Sequence, residues 1–156
     1  MPEFTAVVAW RRGTRDFDPN TWDRNHEVIF PEGLSVGFSA APEFRGDPAK
    51  LNPHGAFLAA LASCHMLTFL ALAARRGLVI DAYDDDPVGT LGRNEDGRLA
   101  MTEVLLRPKV TFAAGKAPHQ RGLAELHHRA HRHCYMANSV RTQIRVEDRT
   151  ELPEPV

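Results

Sequence analysis

The chain has only two cysteines, Cys64 and Cys134, among its 156 residues. That is too few for the disulfide framework of a small secreted domain, so any bridge between them is expected to be transient and chemical. A basic excess is also missing: 19 Lys and Arg stand against 20 Asp and Glu, a formal charge of -1, and the cations are scattered. This excludes the electrostatic footprint of a nucleic-acid binder. Met1 to Trp10 lacks a basic stretch followed by an apolar run and a small-residue cleavage site, so no secretory leader is expected and the protein is expected in the cytosol. There is no internal repeat and no low-complexity tract. The length suits a single domain, read here as residues 1–150, with 151–156 as a flexible tail carrying two prolines.

Charge is absent altogether from Gly55 to Ala74, 20 residues that are apolar on all sides rather than along one stripe. Asn52-Pro53 supplies an N-cap and a first-turn proline, and Arg75-Arg76-Gly77 supplies terminal cations and a stop, so one long helix is expected between them. A helix of this kind lies in a membrane or at the centre of a fold. Its alanine content, and Ser63, Cys64, His65 and Thr68 within it, argue for the centre. So short a chain cannot wrap such a helix alone, which implies that a second subunit covers part of it, in a homodimer.

Around this helix the pattern reads as strands. Phe4 to Trp10 is apolar, and Glu27 to Phe30 and Leu34 to Ser39 flank the turn Pro31-Glu32-Gly33. Leu78 to Tyr83 and Val88 to Gly92 follow, then Met101 to Phe112 as one long strand carrying Pro108. From Pro118 to Ala137 the steps Leu123, Leu126, Ala130, Cys134 are helical, and Val140 to Val146 alternates as a last strand. The order argues for an α+β domain with helices packed on largely antiparallel sheet.

A free cysteine is most often a small buried hydrophobe. Here two thiols lie on two helices that must share one core, where they could meet and pass through a sulfenic acid to a disulfide. A rival chemistry is metal: His127, His131 and Cys134 fall at i, i+4 and i+7 on one helical face, a spacing that suits zinc but lacks a separated second ligand pair. Asp84-Asp85-Asp86 reads as a solvated bend rather than a cation site. No cofactor is implied.

Several of these stretches together resemble the OsmC/Ohr family, most closely its OsmC-like branch. They are Asn52-Pro53 with Cys64 eleven residues beyond, Ala59-Ala60-Leu61-Ala62-Ser63-Cys64-His65-Met66, and Leu126-His127 through His131 to Cys134 and Asn138-Ser139-Val140. Phe44-Arg45-Gly46-Asp47 and Leu106-Arg107-Pro108 are also in pattern. The resemblance implies an intertwined homodimer with sites at its interface. It also implies reduction of organic hydroperoxides to alcohols, with a dithiol, often a lipoylated protein, as reductant. Cys64 matches the family's peroxidatic cysteine and Cys134 its resolving one. A cation must stabilise the attacking thiolate, and Gly13-Thr14-Arg15-Asp16 resembles the family's Gly-Gly-Arg-Asp turn, which assigns that role to Arg15, with Arg24 as competitor. The chain departs from the family after Asn-Pro, where His54 replaces the glutamate that orients the arginine. Glu43 is a candidate substitute carboxylate. His54 also motivates a second reading, a non-enzymatic or redox-sensing protein that holds a small apolar ligand.

Overall fold

The computed structural model describes residues 1–154. The chain divides into two compact units, Met1–Ala56 and Phe57 onward.

The first unit is a three-stranded antiparallel sheet of β1 (Val7–Ala9), β2 (His26–Ile29) and β3 (Ser35–Phe38), with β2 central. The β2–β3 turn is the expected one. Glu32 and Gly33 take positive φ of 66° and 85°, and Phe30 N–H donates to Leu34 O at 2.8 Å. Val28, Phe38 and Ala41 are buried, and the rings of Trp10, Phe17 and Trp22 lie within 6.2 Å of one another. Gly46 packs directly on backbone: a Cβ there would sit 1.5 Å from the carbonyl oxygen of Ala40.

Helix α1 (Pro53–Arg75) begins in the first unit and continues into the second. Asn52 caps it as the sequence predicts, its Oδ1 accepting from Gly55 N–H at 3.0 Å. By length and composition α1 could cross a membrane. Instead it gives one line, Leu61, His65, Phe69 and Ala73, to the core of the second unit, each one turn from the next. The opposite face, with Ala59, Ser63, Leu67 and Ala71, is exposed, Leu67 by 61%.

The second unit continues with β4 (Ile80–Asp84), β5 (Val88–Arg93), β6 (Leu99–Leu106), β7 (Lys109–Phe112), α2 (Gln120–His133), α3 (Tyr135–Asn138) and β8 (Gln143–Val146). β4 pairs β7 antiparallel; β5 pairs β6 antiparallel, while β8 joins β6 in parallel. The architecture is the expected α+β one, with two corrections. Met101 to Phe112 is two strands in two sheets, because Pro108 offers no N–H to a ladder and the chain turns there. The second helix stops at Cys134, whose backbone is extended (φ -73°, ψ 114°), and α3 starts anew beyond it. Two apolar clusters form the core, one of Phe69, Ala73, Val110, Leu123, Leu126 and Ala130, the other of Leu61, Val104 and Leu106. Leu152 of the tail packs against the first; Pro155 and Val156 lie outside the described residues.

Between the helices the core contains a polar strip. His65 is 1% exposed and His127 4%. The rings stack 5° from parallel, with His65 Nε2 and His127 Nδ1 3.1 Å apart. His127 Nε2 faces Asp148 Oδ1 at 3.7 Å. Burial pushes the Asp148 carboxyl up, but His127 and the Thr150 hydroxyl and N–H outweigh it, and the group ends below its usual range. Beyond lie Tyr83 and Asp85, both pushed upward, first by burial. Burial, with His127 and His131 adding like charge, lowers His65 from 6.5 to about 3.

Gly46→Ala should destabilise the protein by about 3 kcal/mol in urea unfolding, since the obstructing atom is backbone and cannot swing aside; a loss under about 0.5 kcal/mol, the range of ordinary surface changes, would contradict the packing. Acid should act through His65. Its folded pKa is depressed, so below 6.5 the unfolded chain takes up a proton that the folded one refuses. Stability is therefore lost as pH falls from 6.5 toward 3, by up to about 1.4 kcal/mol per pH unit. His65→Gln should flatten that part of the stability–pH curve relative to wild type; parallel curves would show that His65 is not held neutral.

Candidate functional site

Cys64 is half-buried on α1, one residue before His65 of the core line. Thr68 Oγ1 donates to its carbonyl at 2.8 Å, an ordinary one-turn back-bond that leaves the sulfur free. Cys134 is 1% exposed and occupies the joint between α2 and α3. Its Sγ accepts from Ala137 N–H at 3.4 Å, so the thiol caps α3.

The two thiols are neighbours. Burial first, then a hydrogen bond with Cys64, pushes the Cys134 thiol up to about 11, against the opposing N–H groups of Ala137 and Met136. At neutral pH Cys134 is therefore a protonated, desolvated thiol beside Cys64. Cys64 also opens onto a groove of about 750 Å³. Ala60, Leu67 and Leu72 of α1 supply apolar wall, while Arg129, His133, Tyr135 and Met136 close the far side. A larger groove of about 860 Å³, lined by Phe57, Arg93 and Thr142 among others, contains neither cysteine. Chemically, the first groove offers an apolar approach to one sulfur with a second sulfur waiting behind it.

The remaining residues singled out from the sequence belong to the first unit. Arg15 is exposed in the turn, where its carbonyl accepts from Arg12 Nη1 at 2.7 Å. Arg24 is half-buried and committed to its surroundings: Nη1 donates to Trp22 O at 2.5 Å and the guanidinium lies 4.5 Å from the centre of the Trp22 ring. Glu43 is exposed in a short 3-10 turn. His54 stacks on Phe44, with ring centres 5.9 Å apart.

The expected face of His127, His131 and Cys134 exists only in part. His127 turns to His65 and Asp148, and Cys134 leaves the helix to cap the next one. Among the described residues no group of three or more His, Cys, Asp or Glu is arranged to hold a metal ion. Asp86 is taken by Arg107 and Arg149, and Asp85 Oδ1 accepts the Arg107 N–H at 2.8 Å. Sequence reasoning missed the His65–His127 pair. The available signal was His65 on the line Leu61, Phe69, Ala73, which an all-round apolar helix conceals.

A search of curated proteins finds no match. Among solved structures, an OsmC-like protein of unknown function from Vibrio cholerae superposes with a TM-score of 0.92 at 38% identity, covering 95% of this chain and 99% of that one. An organic hydroperoxide resistance protein from Legionella pneumophila gives 0.70 at 18% identity, covering 97% and 100%. One from Elizabethkingia anophelis gives 0.71 at 18%, covering 96% and 95%. The family model for OsmC-like proteins matches residues 46–148, which contain both cysteines, the long helix and the histidine strip. With that match and the likeness to the Vibrio protein, the chain belongs to the OsmC-like protein family.

Proposed function

We propose that this protein is a thiol peroxidase that reduces organic hydroperoxides to alcohols. The observation that carries the reading is the proximity of Cys64, at an apolar groove, to the buried thiol of Cys134 from a distant part of the chain. The organic hydroperoxide resistance proteins of Legionella and Elizabethkingia, which share the fold, support it. The Cys64 thiolate attacks the peroxide: an S–O bond forms, the O–O bond breaks, and the alkoxide leaves as alcohol after taking up a proton. The sulfenic acid then condenses with the Cys134 thiol, forming the disulfide and releasing water. A dithiol, in the family often a lipoylated protein, exchanges with that disulfide and restores both thiols.

Burial of Cys134 suits the resolving role. A thiol near 11 is a poor first nucleophile at neutral pH, so it waits for the sulfenic acid beside it. Arg15 is the proposed cation for the Cys64 thiolate. His54, standing where the family has glutamate, is proposed to offer the arginine a ring nitrogen in place of a fixed anion. The uncharged exposed face of α1 is proposed to pack on a second copy in a homodimer. The cytosol, with its dithiol supply, is the proposed compartment.

Dithiol-dependent consumption of cumene hydroperoxide should fall at least about a hundredfold in Cys64→Ser, as loss of a nucleophile does; equal turnover by the variant and wild type would sink the proposal. Leu67→Glu should convert a dimer to monomer in sedimentation, because it puts a charge on the apolar face; a wild-type monomer at micromolar concentration would rule the dimer out.

A further inference from the structure

The peroxidase reading leaves the histidine strip unused. Among the described residues, the buried side-chain polar atoms without a hydrogen-bond partner are His65 Nδ1, His127 Nε2, His131 Nδ1, Tyr83 OH and Asp85 Oδ2. All belong to this strip. Leaving such groups in an apolar core is costly, and an apolar pair would fill the same space without that cost. The histidines therefore do something that packing alone does not.

Their hydrogen-bond directions follow from Asp148. Its carboxylate lies 3.7 Å from His127 Nε2, beyond hydrogen-bond length, and its negative charge favours the His127 proton on that nitrogen, which leaves Nδ1 as an acceptor. His65 must then donate from Nε2 to His127 Nδ1. Phe69, one turn after His65, stacks on the same His127 ring with centres 4.4 Å apart.

The helices they join need such a link. α1 is rich in alanine and apolar all round, and apolar contact is non-directional, so packing alone specifies its rotation and register weakly. Among the described residues, His65–His127 is the buried side-chain hydrogen bond between α1 and α2; the other link, Arg76–Glu125, is an exposed pair past the end of α1. His65 follows Cys64, and His127 lies on α2, the helix that ends at Cys134. A slip of one turn, about 5.4 Å, would carry the sulfurs out of disulfide reach. A single buried polar contact is known to fix helix register in this way, at a cost in stability.

We propose that the His65–His127 hydrogen bond, oriented by Asp148, is the register key that holds Cys64 and Cys134 in disulfide reach, making both histidines positioning residues. The inference rests on the peroxidase reading for its purpose, but its test needs no peroxide. The redox equilibrium of the thiol pair with reduced and oxidised glutathione measures how well the sulfurs are aligned, one disulfide being exchanged for another.

His65→Leu and His127→Leu, alone and together, should each lower that equilibrium constant about tenfold, the worth of one well-placed hydrogen bond. His65→Gln keeps a donor and His127→Asn an acceptor, and these should stay within about threefold of wild type. The double leucine variant gives the sharpest contrast: its thermal stability should equal or exceed wild type while its disulfide weakens, a split that a merely structural role would not produce. Folded leucine variants with a wild-type glutathione equilibrium would overturn the proposal and leave the peroxidase reading standing. A wild-type protein that forms no Cys64–Cys134 disulfide would overturn both. Should the single leucine variants not fold, nitrogen NMR of the native protein decides. Protons on Nε2 of both rings support the key, and a proton on Nδ1 of His127 refutes it.

Discussion

The second unit depends on how α1 lies against α2. Phe69 and Ala73 of the first helix and Leu123, Leu126 and Ala130 of the second form one cluster with Val110, and burying each large side chain contributes about 2 kcal/mol. That cluster supplies the cohesion but little of the specificity, because alanine-rich surfaces slide over one another with small change in buried area. Directional groups at the same interface, two imidazoles and two sulfurs, carry the specificity. Cohesion and alignment therefore come from different residues.

This division explains how the site is built. Cys64 takes a helical position between the buried line and the exposed face, so its sulfur reaches both the groove and the neighbouring element. Cys134 has to leave its helix to meet it. The break after His133 places the sulfur over the N-terminus of α3, where Ala137 N–H takes it as an acceptor. Regular helix through Cys134 would have continued the periodicity of Leu126 and Ala130. The cost of ending it is offset by the cap.

Much of this is legible in the residues themselves. The ends of α1 were marked by Asn52-Pro53 and by Arg75 through Gly77, and Pro31-Glu32-Gly33 marked the turn between β2 and β3, because caps and turns are local chemistry. What was not legible is non-local. Pro108 could be seen in a strand, but not that the chain changes sheets there; the stop at Cys134 is a tertiary choice that overrides an unbroken periodicity. The His65–His127 pair joins residues far apart in sequence, and neither spacing nor composition announces it. Cys64 and Cys134 could be nominated from motifs, yet that they are neighbours is a property of helix packing alone.

One further consequence lies in the parallel pairing of β8 with β6. Glu147 N–H and Arg149 N–H continue the contact by donating to Leu106 O and Pro108 O, both at 2.8 Å. Pulled from the amino end of β6 and the carboxyl end of β8, such a pair does not unzip one bond at a time. The bonds are loaded together in shear, so the carboxyl-terminal strand is a mechanical latch, resisting extension far better than an antiparallel edge of the same length.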